Sequence, residues 1–326
     1  MNRTQEALAV SVIVPSYGRD HVLIDTLDQL LAQRPAAAEI LVVDQTPRHD
    51  VATQRRLTDW DGKRQIRWIR MNAPSQPGAL NLALCKATQP VVLFLDDDIR
   101  IDEGFLAAHT SAFDDESVWA VAGQVLQPQE EPISSLPNNG LDCSLKDVDF
   151  RFNYSQQSWI ENGMSGNLSV RTDRALELGG FDENFVPPVS YRFDTEFCKR
   201  LCRAGGKIRF EPAARIYHLR SERGGTRTQG HHMRSASPVH GQGGLLLRPE
   251  ATQIDANVPL HTQASHPRSG DPIPSKTSLA DPDQADRRTE GTLFGSQTGH
   301  DEPEIPRPEQ FPKSDGWPSS LQIEVG

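Results

Sequence analysis

The chain is poor in the features that place a protein in a membrane or a secreted compartment. No apolar run approaches the roughly 20 residues that a membrane-spanning helix needs. The first apolar stretch is short and is broken by Pro15, unlike the apolar region of a signal peptide. The cysteines, Cys85, Cys143, Cys198 and Cys202, favour reduced thiols over disulfides or a zinc site. The sequence therefore predicts a cytoplasmic protein that either stays in solution or touches the inner face of the membrane.

Apolar residues are also scarce, at 36% of the 326 positions, and the deficit is concentrated in the last part of the chain. From residue 236 onward the sequence is rich in proline, glycine, serine, glutamine and acids, which predicts a disordered tail over residues 236–326. The preceding residues have an ordinary composition and can hold a full core. The net charge of −10 lacks the basic footprint of a general nucleic-acid binder, so we expect no nucleic-acid partner.

Short apolar segments alternate with helical patterns through the first 95 residues. We predict strands at residues 10–14, 40–43, 66–71 and 91–95, with helices between them. Near-continuous apolar strands are buried on both faces, which predicts an α/β fold with a parallel sheet covered by helices. Ligands bind beyond the carboxyl ends of such strands, so the polar side chains at these ends should share one crevice. They are Ser16, Tyr17, Asp44 and the three aspartates at 96–98.

The alternation is less regular after residue 98. We predict, in order, a helix at 104–113, a strand at 118–126, a loop leading into a strand at 162–170, helices at 172–178 and 195–204, and short strands at 207–210 and 215–218.

Three adjacent aspartates follow the last strand of the regular part, in the stretch VVLFLDDDIR. Adjacent carboxylates repel one another, and a divalent cation resolves that repulsion directly. Mg²⁺ and Mn²⁺ prefer oxygen ligands and are usually held by one or two carboxylates plus substrate phosphates. In an extended chain Asp96 and Asp98 project to one side and Asp97 to the other. The alternative is a solvated turn with capping acids.

Two further strand ends carry residues suited to a nucleotide. In the turn PSYGR, Tyr17 offers a stacking face and Arg19 offers donors for phosphate or base oxygens. Asp44 ends the second strand and could accept a hydrogen bond from a base N–H. Taken alone, the turn is equally well an ordinary turn with a surface arginine, and Asp44 is equally well a cap.

Six motifs, in this order, resemble the family 2 glycosyltransferases, over roughly residues 9 to 230. They are VSVIVPSYGR, EILVVD, PGALNLAL, VVLFLDDDI, GMSGNLSVRTDRALELGGFDENF and FDTEFCKRLCRAGGKIRFEPAARIYHL. Members of this family are inverting, metal-dependent enzymes of the GT-A fold that use nucleotide sugars. The resemblance therefore implies a GT-A, Rossmann-like nucleotide-binding sheet with helices on both faces, and Mg²⁺ or Mn²⁺ as cofactor.

The resemblance also implies roles for individual residues. Ser16, Tyr17 and Arg19 correspond to the nucleotide-binding turn, and Asp44 to the acid that contacts the base. Asp96, Asp97 and Asp98 correspond to the segment that contacts the ribose and the metal-bound diphosphate. The loop near the donor sugar and the acceptor contains Gly166, Asn167 and Ser169. His218 can complete the metal site with Asp96 and Asp98, and Arg223 and Arg227 lie in a glycine-rich loop that can close over the diphosphate.

Asp194 matches the second acid of the family's Glu-Asp motif, which is the general base. An inverting transfer needs the acceptor hydroxyl to lose its proton as it attacks, and a nearby carboxylate can take that proton. The alternative for Asp194 is a helix cap or a first-turn acid. The chain departs from the family at Phe193, where a glutamate is frequent, and at Gly18, where an asparagine is frequent. Glu196 could replace the missing acid only if the helix turned it toward the site.

The resulting hypothesis is an inverting glycosyltransferase that uses a nucleoside diphosphate sugar donor and a glycan, lipid-linked or small-molecule acceptor. Residues 1–100 form its nucleotide-binding half and residues 101–235 its acceptor-binding half. In bacteria such proteins commonly build surface polysaccharides or glycolipids. One alternative is a degenerate transferase that binds a nucleotide or glycan without catalysis. Another is a sugar nucleotidyltransferase, but VPSYGRD lacks the glycine-rich basic loop that would receive a triphosphate.

Overall fold

The computed structural model of the protein describes residues 6–136, 150–185, 191–221 and 223–225. The predicted tail, residues 236–326, and the site candidate Arg227 lie outside these ranges. Among the helices that the structure describes, none is long and apolar enough to cross a bilayer.

The first half of the chain alternates strand and helix as predicted. Its elements are β1 (Leu8–Ser16), α1 (His21–Ala32), β2 (Ala37–Asp44), α2 (Val51–Gly62), β3 (Arg67–Arg70), α3 (Gln76–Leu84) and β4 (Val91–Leu95). Local sequence sets two of the helix starts: the side chains of Asp50 and Ser75 accept hydrogen bonds from the first turns of α2 and α3. Asp20 precedes α1 without such a cap bond, because its carboxylate binds His49 instead.

The second half continues the same sheet with mixed strand directions. Its elements are β5 (Ile99–Ile101), α4 (Phe105–Thr110) with a following 3₁₀ turn (Ser111–Asp114), β6 (Val118–Leu126), β7 (Ser158–Ile160), β8 (Asn167–Arg171), α5 (Thr172–Glu177), α6 (Phe193–Arg203) and β9 (Lys207–His218). The strand order is β3-β2-β1-β4-β8-β6-β9-β5, with β7 also paired to β9. Strands β1 to β4 pair in parallel, whereas β8 is antiparallel to both β4 and β6.

Both faces of the sheet are covered, which explains the continuous apolar strands. In β4 every residue is buried. Val92 and Phe94 belong to the core cluster on one face, while Val91, Leu93 and Leu95 belong to the cluster on the other. A strand buried in this way needs apolar side chains at odd and even positions alike.

The two short strands predicted at 207–210 and 215–218 are in fact one long strand, β9. Pro212 lies inside it, opposite a register shift between Gly123 and Val125 of β6. A Cβ atom at Gly123 would overlap with the carbonyl oxygen of Ala214. The glycine therefore lets the two backbones approach at an irregularity that also accommodates the proline. Because β9 continues without a break, its last residue, His218, reaches the carboxyl end of the sheet.

Candidate metal and nucleotide site

Strand pairing brings Asp96, Asp98 and His218 together. The aspartates follow β4 directly, and β5 pairs antiparallel with the end of β9 so that Ile99 is opposite His218. One ligand atom from each of the three residues lies within 4.8 Å of the others. His218 Nε2 is 3.2 Å from Asp98 Oδ1 and 3.8 Å from Asp96 Oδ2.

The donor set fits a divalent cation. His218 Nδ1 lies 3.1 Å from Gln127 Oε1, and an amide oxygen can only accept, so Nδ1 carries a proton and Nε2 faces the carboxylates. The two carboxylates are ligands of the kind that suits Mn²⁺ or Mg²⁺, and the imidazole nitrogen is a softer ligand that favours Mn²⁺ over Mg²⁺. These residues would hold such an ion at the crevice predicted from the strand ends.

Arg19 supplies a counter-charge that the sequence argument did not foresee. Its guanidinium is buried, with Nη1 at 2.9 Å from Asp97 Oδ1 and 2.8 Å from Asp98 Oδ2. The repulsion among the aspartates is therefore offset in part by the protein itself. The same contacts hold the guanidinium among carboxylates rather than in the crevice, where the prediction placed it for phosphate.

The two buried aspartates respond differently to this arrangement. Burial raises the pKa of Asp97 to about 7, against the opposing charge of Arg19 and the hydroxyl of Ser16. Burial also acts to raise the pKa of Asp98, but the hydrogen bond and charge of His218, with Arg19, lower it below its ordinary value. Asp98 is thus the more firmly ionised carboxylate of the pair.

The segment that follows β9 packs against the same end of the sheet. The backbone N–H of Ser221 donates to Asp98 Oδ2 at 2.9 Å, and that of Gly225 donates to the carbonyl of Tyr17 at 2.7 Å. A Cβ at Gly224 would lie 2.6 Å from the same carbonyl, so a glycine is needed there. Arg223 lies between these contacts and is exposed. The structure therefore places the backbone segment around Arg223 beside Tyr17 and the aspartates.

Asp44 has a different environment from the one predicted. Its side chain is fully buried, and Oδ2 accepts hydrogen bonds from His49 Nε2 at 2.8 Å, Trp68 Nε1 at 3.0 Å and Arg70 Nη1 at 3.1 Å. Oδ1 accepts from the backbone N–H of Thr46. Hydrogen-bond donors of the protein itself therefore occupy the carboxylate that was expected to accept a hydrogen bond from a base. Trp68 and Arg70 are two residues apart on β3 and so project to the same side of the strand. That spacing was the sequence signal that could have identified them as partners of Asp44.

Gly166 lies against a metal-ligand candidate. Its carbonyl accepts a hydrogen bond from the backbone N–H of Asp96 at 3.1 Å, and a Cβ atom at this position would overlap with the Asp96 carboxylate. The loop predicted near the donor sugar therefore reaches the candidate metal site through its backbone at Gly166.

Asn167 and Ser169 face the interior instead of the crevice. Both are buried in β8 and bind His109, a residue that the sequence analysis missed. His109 Nε2 lies 2.8 Å from Asn167 Oδ1, and its Nδ1 lies 2.9 Å from Ser169 Oγ. Burial lowers the pKa of His109 to about 4, so its ring is neutral. These side chains fix β8, and with it the Gly166 loop, rather than contacting a ligand.

Exchange of Gly166 for alanine should disturb the candidate metal site directly. The added methyl group would displace the Asp96 carboxylate, and we expect Mn²⁺ affinity to fall by about tenfold or more. Isothermal titration of wild type and variant with Mn²⁺ would measure this. Gly62→Ala is the matched control, since a Cβ there meets nothing within 4 Å. Equal Mn²⁺ affinity in both variants would contradict the assignment.

Asp194 lies in the first turn of α6, next to the Gly166 loop. Its Oδ2 accepts a hydrogen bond from the backbone N–H of Ser165 at 3.2 Å, and its Oδ1 accepts one from Thr195. Burial raises the pKa of Asp194 in spite of these bonds, and the charge of Asp96 adds to the rise. The carboxylate holds the loop that approaches Asp96, in addition to any role in chemistry.

The neighbours of Asp194 show why the missing acid is not replaced. Phe193 is buried in the core, where its ring contacts that of Phe181. Glu196 pairs with Arg200 on the same helix, with both guanidinium contacts at 2.8 Å. Asp194 is therefore the acid of this helix start that lies beside the loop at Ser165.

Comparisons with known proteins agree with this geometry. Residues 11–167 match the family model described as glycosyl transferase family 2. The pre-mycofactocin glycosyltransferase of Mycobacterium tuberculosis is 28% identical over 144 residues, which are 43% of this chain and 29% of that protein. The match thus spans less than a third of the length of the curated relative. Together with the family model, it confirms the predicted family resemblance.

Two solved structures share the fold. The mannosyltransferase PcManGT from Pyrobaculum calidifontis, in complex with GDP-Man and Mn²⁺, aligns with a TM-score of 0.51 at 20% identity, over 71% of this chain and 60% of that one. GalNAc-T7 with UDP, GalNAc and Mn²⁺ aligns with a TM-score of 0.52 at 15% identity, over 66% and 44%. The predicted α/β fold of the GT-A type is confirmed.

Proposed function

Because residues 11–167 match the model of glycosyl transferase family 2, we propose that the protein moves a sugar from a nucleoside diphosphate sugar to an acceptor hydroxyl, with inversion and with a divalent metal. The observation that carries the proposal is the convergence of Asp96, Asp98 and His218 beside the turn that ends β1. The acceptor is a glycan, a lipid-linked sugar or a small molecule. Synthesis of a surface polysaccharide or glycolipid, on the cytoplasmic side of a membrane, is the role that we propose.

Each part of the site has a task in this reaction. Asp96, Asp98 and His218 would hold Mg²⁺ or Mn²⁺, which when bound offsets the negative charge that grows on the leaving diphosphate. Tyr17 would offer its ring to the base, and the guanidinium of Arg223, an exposed residue, would bind diphosphate oxygens. Arg19 would hold Asp98 in place through a direct ion pair, and Asp97 would support Arg19 through a second one.

Asp194 is the proposed general base. It would accept the proton of the acceptor hydroxyl as that oxygen attacks the anomeric carbon of the donor. Burial makes it a stronger base than an exposed aspartate, because the ionised form is less well solvated. The backbone of Ser165 fixes one of its oxygens and thereby the direction of the other.

The two halves divide these tasks in our proposal. Residues 1–100 contribute the β1 turn and the aspartates, which serve the nucleotide. Residues 101–235 contribute Gly166 and Asp194, which serve the sugar and the acceptor. Both halves contribute to the metal site, since His218 comes from the second.

A thermal-shift panel tests the proposal. Nucleoside diphosphates and their sugars would be added with Mn²⁺ or with a chelator. One nucleotide series should raise the melting temperature by about 5 °C, and only with the metal, because a ligand that binds the native state stabilises it by mass action. Transfer to an acceptor, followed by NMR of the anomeric proton, would establish inversion. No shift with any nucleotide would refute the proposal.

One observation favours a second candidate. Phe193 fills core space where the related enzymes often have an acid, so the site has one carboxylate fewer. A non-catalytic binding module would give the same thermal shift but neither transfer nor donor hydrolysis. Rate measurements on the wild type therefore separate the two functions.

A further inference from the structure

His49 lies between two carboxylates that belong to different strand ends. Its ring is completely buried, with Nδ1 at 2.6 Å from Asp20 Oδ1 and Nε2 at 2.8 Å from Asp44 Oδ2. An ionised carboxylate only accepts hydrogen bonds, so both ring nitrogens must donate. When both carboxylates are ionised, this geometry calls for a charged imidazolium inside the protein.

This ring closes a loop of hydrogen bonds between the ends of β1 and β2. The backbone N–H of Gly18 donates to Thr46 Oγ1 at 2.9 Å, and the N–H of Thr46 donates to Asp44 Oδ1 at 2.8 Å. His49 joins Asp44 to Asp20, which lies two residues after Gly18. The turn that begins at Ser16 is thus fastened to β2 on both of its sides.

The pKa of His49 depends on its burial and on the charged groups around it. Burial lowers its pKa, but the hydrogen bonds and charges of Asp44 and Asp20 outweigh burial and raise the pKa above its ordinary value. Asp50 also feels this positive charge, and Arg70 approaches from β3 through its bond to Asp44. The Trp68 ring lies near the imidazole, with a centroid distance of 6.5 Å and an interplanar angle of 47°. His109, buried beside neutral partners, shows the opposite shift.

We infer that His49 is a positioning residue for the donor site: its charged ring clasps the Ser16–Arg19 turn to the end of β2, and loss of the proton loosens that turn and weakens nucleotide binding. The inference rests on the proposed function, because this turn is the proposed nucleotide-binding segment. It also reaches the metal ligands, since Arg19 at the end of the turn binds Asp98.

The direction of the pH effect follows from the raised pKa. The hydrogen bonds from the charged His49 ring to Asp20 and Asp44, which we call the clasp, stabilise the turn fully below the ordinary pKa of histidine. At such pH the ring is charged in the folded and the unfolded chain alike. Its contribution is lost as the pH rises through the folded-state pKa. A neutral ring would turn a lone pair toward one of the two carboxylates, and the repulsion would open the loop of hydrogen bonds.

Measurements on the ligand-free protein test the clasp by itself. The ¹⁵N shifts of the His49 ring at pH 7 should show two protonated nitrogens. His49→Gln should reduce the hydrogen-exchange protection of the Gly18 amide by about tenfold. His21→Gln, an exposed histidine at the start of α1, is the control and should leave that protection unchanged. A neutral ring, or unchanged protection in His49→Gln, would overturn the inference.

Binding measurements test its consequence for the donor. In the wild type and in His21→Gln, the dissociation constant for a nucleoside diphosphate with Mn²⁺ should rise by about tenfold from pH 6.5 to pH 9. His49→Gln should bind weakly throughout, with a flatter pH profile. Wild-type affinity and pH profile in His49→Gln would overturn the inference. If the wild type binds no nucleotide, the proposed function fails, and the ring and amide measurements still decide the clasp.

Discussion

Exchange of Asp194 for asparagine should slow sugar transfer by about 10²–10⁴-fold while the donor dissociation constant stays within about twofold. Asparagine keeps the size and can accept from Ser165, but it cannot take a proton from the acceptor. The loss should therefore appear in kcat rather than in nucleotide affinity. Initial rates over a range of donor concentrations, with nucleotide titrations of the same preparations, would measure both quantities.

A second acid on the same helix provides the control. Glu196 pairs with Arg200 on the same helix, so Glu196→Gln should retain most of the transfer rate. The wild-type rate should fall at low pH through a pKa above the ordinary aspartate value, because burial raises that of Asp194 and the base acts only when ionised. Equal losses in both variants would show that Asp194 is needed for the helix and not for proton transfer.

The regular part of the fold could be predicted because its signals are local. Apolar runs such as that of β4 mark strands buried on both faces, and Ser75 and Pro77 mark the start of α3. The D-x-D spacing of Asp96 and Asp98 likewise follows from the alternation of an extended chain. Those features depend on neighbours along the sequence, and the structure reproduces them to within a few residues.

The side-chain partners could not be predicted, because they depend on contacts between distant segments. Asn167 and Ser169 alternate and so share one face of β8, but the sequence does not say whether that face lines a crevice or the core. The position of His109, about 60 residues earlier in the chain, decides it. To decide which face of β8 is buried, one must know its neighbouring strands, and these come from both halves of the chain.

The acids show the same limitation in electrostatic terms. The sequence revealed that three aspartates repel, but not that Arg19, 78 residues from Asp97, would be buried between two of them. Asp44 is the last residue of β2, where exposure was a reasonable expectation. The edge strand β3 covers it with Trp68 and Arg70, because Asp44 pairs directly with Arg70 in the sheet.

Exchange of Asp96 for asparagine should lower the transfer rate by about 10³-fold, since a bound metal supplies several kcal/mol of charge stabilisation in the transition state. Asp96 is a better test than Asp98, whose carboxylate also binds Arg19 and the backbone of Ser221. Removal of the metal from the wild type with a chelator should cause a similar loss. Rates in buffers of controlled Mn²⁺ concentration would measure both.

The rate losses caused by Asp96→Asn and by chelation of the metal should not add, because both changes remove the same interaction. Chelation should therefore have little further effect on Asp96→Asn, and a high Mn²⁺ concentration should restore part of its rate, since Asp98 and His218 remain as ligands. Asp102→Asn, at an exposed acid just after β5, should retain both the wild-type rate and its full response to the chelator. A wild type that transfers sugar equally fast after chelation would show that these carboxylates act on the donor without a metal. Additive losses would instead place Asp96 and the metal in separate steps of the reaction.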